Sequence, residues 1–194
     1  MRVLIAPDSF KGSLGAAAAA TALAGGWLSV RPGDQVRRLP LADGGEGTLD
    51  VLAATVPGTV WHRARVTGPG GAPVTARWLE LPALLERGAQ AGTAVVELAR
   101  ASGLPLLARP DPMGAQTIGL GELLGRALDA GVGRILVGLG GSASTDGGTG
   151  ALAALGARFL DADGEPLPPG GGALVDLAAV DLRGLRGAPG GGVT

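Results

Sequence analysis

Short β-branched apolar runs alternate with longer Ala- and Leu-rich stretches along this chain, and Gly, Pro or Asp stands at most of the boundaries. Arg2-Val3-Leu4-Ile5-Ala6 is too short for a helix and rich in branched residues, so it reads as a buried strand ended by Pro7. Leu14 to about Leu28 reads as a helix, with strong propensity from its alanines, an N-cap at Ser13 and an end frayed by Gly25-Gly26. After the turn Arg31-Pro32-Gly33-Asp34, Gln35–Leu39 reads as a second strand. Strand, helix and strand imply a parallel β-α-β unit. A short helix is expected over Leu49–Ala54.

The pattern then changes. Thr59–Val66 and Ala72–Leu81 are strand-like runs on either side of Gly68-Pro69-Gly70-Gly71, the signature of a hairpin, and Thr93–Leu98 is a further strand. Pro82–Gly92 reads as a surface excursion. Between Thr117 and Ala130 the positions 120, 123, 124, 127 and 128 form one helical stripe, with Gly131 suited to the C′ position. Arg134–Val137 is a strand that enters Gly138-Leu139-Gly140-Gly141-Ser142-Ala143-Ser144-Thr145-Asp146-Gly147-Gly148-Thr149-Gly150, and Ala151–Leu155 is a helix. Ala157–Leu160 is a strand, followed by a turn at Asp163-Gly164. Two weak apolar pieces, Ala173–Leu177 and Ala179–Leu182, precede a glycine-rich end with no closing element expected.

These elements predict an α/β fold. Its core would be a Rossmann- or flavodoxin-like parallel sheet formed by residues 1–57 and 100–156. Residues 58–99 and 157–194 would form a smaller, partly antiparallel second domain containing the hairpin.

Composition narrows the function. The chain has 194 residues, with 37 Gly and 14 Pro, a level at which disorder must be considered. A hydrophobic content of 46% argues instead for a globular chain with many loops, and 3% aromatics leave the core to Leu, Val and Ala. A formal net charge of -1 without like-charge blocks gives no support for nucleic acid or an anionic membrane as partner. There is no Cys, which excludes disulfides, thiolate catalysis and Cys-ligated metals. The N-terminus does not read as a signal peptide and the longest apolar run is too short to span a bilayer, so the expected setting is cytoplasmic. Nothing in the sequence indicates an oligomeric state.

Three strand-to-loop transitions carry an Asp beside Gly or Ser: Asp8, Asp43 and Asp146. Ligands of open parallel sheets bind along the carboxyl edge of the strands, so these loops are expected to meet in one cleft. Loop 138–150 lacks the Gly-Lys-Ser/Thr of a P-loop. It does contain Gly138-x-Gly140-x-x-Ala143, with Asp161 downstream, which keeps a nicotinamide-dependent oxidoreductase as the alternative; Asp146-Gly147-Gly148 is hostile to the helix such a fingerprint requires. The same glycines also suit a purely structural connection that allows close packing.

Asp8 and Lys11 would pair a base with a phosphate-neutralising ammonium, unless they form a surface ion pair. Asp43 and Glu46 flank Gly44-Gly45 and have the chemistry to hold Mg²⁺ or to favour a helix N-terminus. The backbone N–H groups of Gly140, Gly141, Ser142, Gly147 and Gly148 would cradle a phosphate or carboxylate, with Ser9, Gly44, Gly45 and Glu46 beside them. Glu46 and Asp146 are the candidate metal or hydroxyl contacts. His62 has no triad pattern, and Arg63, Arg65 and Arg77 read as solvated. Trp27, Trp61 and Trp78 read as packing residues.

Several long stretches, in order, resemble the type I glycerate kinases. They are Val3 to Leu14, Leu41 to Thr48, Val66-Thr67-Gly68-Pro69, Gly119-Leu120-Gly121-Glu122-Leu123, Gly138 to Ala143 and Thr145-Asp146-Gly147-Gly148. The resemblance runs to about residue 182. It implies a two-part α/β kinase that uses ATP to convert D-glycerate to a phosphoglycerate, with 2-phosphoglycerate favoured. Asp8 or Asp43 would accept the glycerate hydroxyl proton, Lys11 would neutralise charge on the transferring phosphoryl, and Mg²⁺ is expected from the chemistry of ATP phosphates. Family members run further, with an Asp-Val-x-Asn-Pro-Leu-type segment and a Gln-Lys-Gly segment that do not occur here, so this chain resembles their N-terminal portion. As such a truncated chain it would alternatively be a non-catalytic anion-binding fragment.

Overall fold

A computed structural model of the chain describes residues 1–83, 91–190 and 192–194. The first unit is the expected β-α-β. β1 (Arg2–Ile5) and β2 (Gln35–Arg38) pair in parallel from Arg2↔Gln35 to Ile5↔Arg38, with α1 (Ala16–Val30) between them in sequence. α1 buries Ala16, Ala19, Ala20 and Ala24, a face of small side chains at helical spacing that lets the helix lie close to the two strands.

Both expectations about the ends of α1 need correction. Gly15, not Ser13, occupies the N-cap position and makes no side-chain cap, because Ser13 Oγ instead donates to Phe10 O at 3.1 Å and closes the preceding turn. The helix also runs past Gly25-Gly26 to Val30. Asp34 ties down its last turn by accepting from Trp27 Nε1 (3.0 Å), Arg31 Nε (2.7 Å) and the N-terminal ammonium (2.7 Å).

α2 (Thr48–Thr55) follows, then β3 (Val60–Thr67), β4 (Pro73–Leu81), β5 (Thr93–Glu97), α3 (Ala99–Ser102), α4 (Ile118–Asp129) and β6 (Arg134–Gly138). The strands form one mixed sheet in the order β3-β4-β5-β6, antiparallel except for the parallel β5–β6 pair. The hairpin turn falls where expected: Gly68 N–H donates to Ala72 O at 2.8 Å, and Gly71 has φ 86°.

On one face of the sheet, Leu120, Leu123, Leu124 and Ala127 of α4 pack on Val66, Trp78, Ala94, Val96 and Ile135. On the other, Leu49 of α2 packs with Leu79, Leu81 and Val95. A sheet covered on both faces explains why β5 reads as a continuous apolar run rather than an alternating one.

The fold is α/β, but the sheets cross the expected boundary between residues 99 and 100. β5 belongs to the hairpin's sheet and is also the parallel partner of β6, whereas β1 and β2 form a separate two-stranded sheet. The reason is burial. β4 carries Trp78 to one face and Leu79 and Leu81 to the other, so it cannot stand as part of a solvent-exposed hairpin.

α5 (Thr149–Ala154), β7 (Arg158–Leu160) and β8 (Ala179–Asp181) complete the elements, with β7 and β8 antiparallel. The weak apolar piece Ala173–Leu177 lies mostly in a 3-10 turn, Gly171–Asp176. The last residues do make contact with the sheet, through an isolated parallel bridge between Val193 and Ile135. Thr194 O accepts from Val137 N (2.7 Å) and Thr194 N donates to Ile135 O (2.8 Å), placing the last residues parallel to β6. The expected excursion Pro82–Gly92 falls largely on residues outside the described ones. Among the described residues, no helix is long and apolar enough to cross a membrane.

Candidate functional site

Because β1 and β2 are parallel, the loops that follow them leave from the same edge. The ladder continues beyond the strands: Leu39 N–H donates to Ile5 O (2.8 Å) and Leu41 N–H to Pro7 O (2.9 Å). This sets the Asp8 loop beside the Asp43 loop. Each aspartate is exposed and has one oxygen held by the following backbone, Asp8 Oδ1 by Ser9 N–H (2.6 Å) and Asp43 Oδ1 by Gly45 N–H (3.1 Å). Thr48 Oγ1 closes the second loop by accepting from Gly44 N–H (3.1 Å) and donating to Gly45 O (2.9 Å).

The loop after β6 stacks backbone-to-backbone on the second loop. Gly140 N–H donates to Gly44 O at 3.2 Å. A Cβ at Gly138 would lie 2.4 Å from Gly44 O, and one at Gly140 would lie 2.6 Å from Gly45 Cα. At these positions glycine is required by a close approach between two loops. The three loops predicted to meet are therefore joined in series, through Leu41–Pro7 and Gly140–Gly44.

A cleft of about 670 Å³ opens beside them. Ser9, Lys11, Glu46, Asp50, Arg77 and Arg100 are among its lining residues. Of the predicted site residues, Ser9, Lys11 and Glu46 face this space. Asp8, Asp43, Gly44 and Gly45 belong to the adjoining loops. Gly140, Gly141, Ser142, Asp146, Gly147 and Gly148 do not line it.

Asp146 departs most from expectation. It is only 1% exposed, and its carboxylate accepts four hydrogen bonds: from Thr117 N–H (2.8 Å), Thr117 Oγ1 (2.7 Å), Gly148 N–H (3.0 Å) and Gly150 N–H (3.2 Å). Ala151 N–H goes to Thr117 Oγ1 at 2.9 Å. The start of α5 is thus capped internally, and Gly148 N–H is not available to a ligand. Ser142 Oγ accepts from Ser144 N–H (3.1 Å), which ties that part of the loop to itself.

Glu46 is set apart from Asp146 in role. One of its oxygens, Oε1, is buried without a hydrogen-bond partner, and a Cβ at Gly141 would come within 2.8 Å of it. Among the described residues, no group of three His, Cys, Asp or Glu gathers as a metal site. The pairing of Glu46 with Asp146 around Mg²⁺ does not fit, because Asp146 is enclosed and its oxygens are occupied.

Sequence reading missed the cleft's charged network. Glu97, 1% exposed at the end of β5, accepts from Leu49 N–H (2.6 Å) at the start of α2 and from Arg100 Nε (2.9 Å). Burial pushes the Glu97 carboxyl above its ordinary pKa, opposed by the Leu49 N–H and by Arg100. Arg100 also reaches Asp50 at 2.5 Å, and Arg77 lies 3.7 Å from the other Asp50 oxygen. Both guanidiniums lie over Trp61, at 4.3 Å for Arg77 and 5.9 Å for Arg100. An acid ending an apolar strand, with an arginine three residues on, was the available signal.

Arg77 is therefore paired and stacked rather than simply solvated. His62 also has partners: its ring stacks on Trp78 at 3.9 Å, and its Nε2 lies 2.9 Å from Glu80 Oε2. Asp161, the residue the dinucleotide alternative needs, accepts from Asp163 and Glu165 N–H within its own turn. α5 begins only at Thr149, well beyond the Gly138–Ala143 turn.

Parallel strands whose carboxyl-edge loops stack through glycine, beside a cleft lined by charged residues of both signs, define an α/β protein with its cleft at the loop edge of the strands. The chain belongs to the glycerate kinase family, whose model matches residues 3–190. It is 48% identical to a glycerate kinase of Bacillus subtilis and 42% identical to a glycerate 2-kinase of Escherichia coli, each over 95% of this chain and 47% of the relative. A crystal structure of a putative glycerate kinase 2 from Salmonella typhimurium superposes with a TM-score of 0.72 at 42% identity, over 95% of this chain and 48% of that one. The chain thus spans about half the length of the relatives it matches.

Proposed function

We propose that this chain serves the ATP-dependent phosphorylation of D-glycerate to a phosphoglycerate. The observation that carries the reading is the serial joining of the Asp8, Asp43 and Gly138–Ser142 loops beside one cleft, in a chain of the glycerate kinase family. The likeness to the Escherichia coli glycerate 2-kinase favours 2-phosphoglycerate as product.

Phosphoryl transfer depends mainly on positioning and charge stabilisation. In this reading Lys11, exposed in the cleft and without an ion pair to any described residue, neutralises charge on the transferring group. Asp8 and Asp43 are the two candidates for accepting the hydroxyl proton of glycerate. Each has one oxygen oriented by a backbone N–H and makes no hydrogen bond through the other to a described residue. Ser9 and Glu46 are the adjoining polar contacts. Mg²⁺ bound with the nucleotide would neutralise charge on its phosphates.

The test is a coupled ADP-release assay with D-glycerate, followed by identification of the product. Glycerate-dependent ADP release with phosphoglycerate formation supports the reading, and its absence from the folded protein overturns it. Thermal shift separates the oxidoreductase alternative: Mg-ATP is expected to raise Tm, and NAD or NADP to leave it unchanged.

A further inference from the structure

We propose that Arg77 and Arg100 form a subsite for the carboxylate of the organic acid substrate, and that Asp50 occupies it when no substrate is bound. The proposal rests on the reading of this cleft as a glycerate site and names the part of it that recognises the acid group.

Three observations carry it. First, both guanidiniums line the cleft, together with Lys11 and Ser9. Second, the geometry already accepts a carboxylate: the Asp50 oxygens face one arginine each, Oδ2 at 2.5 Å from Arg100 and Oδ1 at 3.7 Å from Arg77. Third, the arginines are held in place and Asp50 is not. Arg100 is fixed from behind by buried Glu97 and Arg77 by Trp61, whereas the Asp50 side chain is 57% exposed and has no partner other than the two arginines among the described residues. A planar guanidinium resting on an indole presents its N–H edge to an anion with little loss of freedom. An exposed carboxylate on a surface helix is displaced at low cost, because solvent-exposed ion pairs are weak.

The arrangement explains an acid-specific site. A ligand carboxylate takes over both arginines, and the freed Asp50 returns to water near the start of α2, where an acidic residue is favoured. Glycerol, which shares the hydroxyls of glycerate and lacks the acid, has nothing to place between the guanidiniums.

The experiment is a titration of the whole chain with D-glycerate, glycolate, L-lactate and glycerol. Tryptophan fluorescence reads binding through Trp61 beneath the arginines, and calorimetry serves as the second readout. The three acids are expected to bind and glycerol to bind at least roughly tenfold more weakly. Arg77→Gln, whose only ion-pair partner among the described residues is Asp50, is expected to raise Kd for every acid about tenfold. Asp50→Asn is the discriminating variant. Loss of an internal competitor is expected to tighten acid binding severalfold, which a purely structural role for Asp50 would not do. Unchanged or weaker acid binding in folded Asp50→Asn overturns the inference, as does acid binding insensitive to Arg77→Gln, or no acid binding by the wild type. ADP release with an unaltered KM for glycerate in Arg77→Gln would overturn the subsite while leaving the kinase reading standing. Acid binding without ADP release would do the reverse.

Discussion

Asp146 Oδ2 accepts both the backbone N–H and the hydroxyl of Thr117, at 2.8 and 2.7 Å, and so joins the start of α4 to the start of α5. The two residues are 29 apart in sequence and both are buried. Their bond turns a glycine-rich loop that looks like an open anion cradle into a strut between two helices.

Asp146→Asn is therefore expected to act on stability. Placing an NH₂ among donors that need an acceptor costs about 2–3 kcal/mol. Thr117→Val, which removes the hydroxyl alone, costs about 1–2 kcal/mol. Urea denaturation checks both. If the Asp146→Asn melt were unchanged while Mg-ATP affinity collapsed, the strut role would be wrong and a ligand role restored.

Glycines in this chain are expected to separate into two classes. Gly140→Ala would force a Cβ to 2.6 Å from Gly45 Cα, so the two loops must move apart, at a cost of about 2 kcal/mol or more and with weaker ligand binding. Gly25→Ala and Gly26→Ala meet nothing within 4 Å and lie inside α1. Each is expected to stabilise the protein by about 0.5–1 kcal/mol through helix propensity and a less flexible unfolded chain. Thermal melts of the three variants decide the matter, and a stabilising Gly140→Ala would remove the stacking argument.

The proton acceptor can be assigned by comparing Asp8→Asn with Asp43→Asn. The variant lacking the base is expected to lose roughly a hundredfold or more in kcat with a modest change in KM. The other should mainly raise KM. Steady-state ADP release across glycerate concentrations reads the difference, and full kcat in both would exclude both residues.

Stability should fall on the acid side in a way that Asp34 explains. The Arg31 hydrogen bond, followed by those of the N-terminal ammonium and Trp27, lowers its carboxyl from 3.8 to about 2. Its folded value lies below its unfolded one, so its contribution is complete above 3.8 and is lost as pH falls toward about 2. Asp181, held down chiefly by Arg183, acts in the same direction. Glu97 has the opposite sign: burial raises its folded value above 4.5, so stability associated with its protonated form is lost as pH rises through that raised value. Asp34→Asn is expected to flatten the decline in Tm between about pH 4 and pH 2, and an unaltered acid limb would show that Asp34 does not set it.

Local pattern determined a good deal of this protein. The β1-α1-β2 unit, the turn at Gly68–Gly71, the stripe on α4 and the glycine C′ position at Gly131 follow from short-range periodicity and backbone preference, and they are where the sequence places them. The family resemblance was also legible, because it rests on contiguous motifs. Long-range contact decided the rest. Thr194 N–H bonds to Ile135 of β6, Glu97 caps α2 at Leu49, and Arg77 and Arg100 converge on Asp50 and Trp61. None of these partners lies within reach of a periodicity window. Whether an aspartate in a glycine loop faces solvent, as Asp8 and Asp43 do, or faces Thr117, as Asp146 does, depends on what packs behind the loop. Two such loops look alike in sequence, because the donors that capture a buried carboxylate belong to another part of the chain.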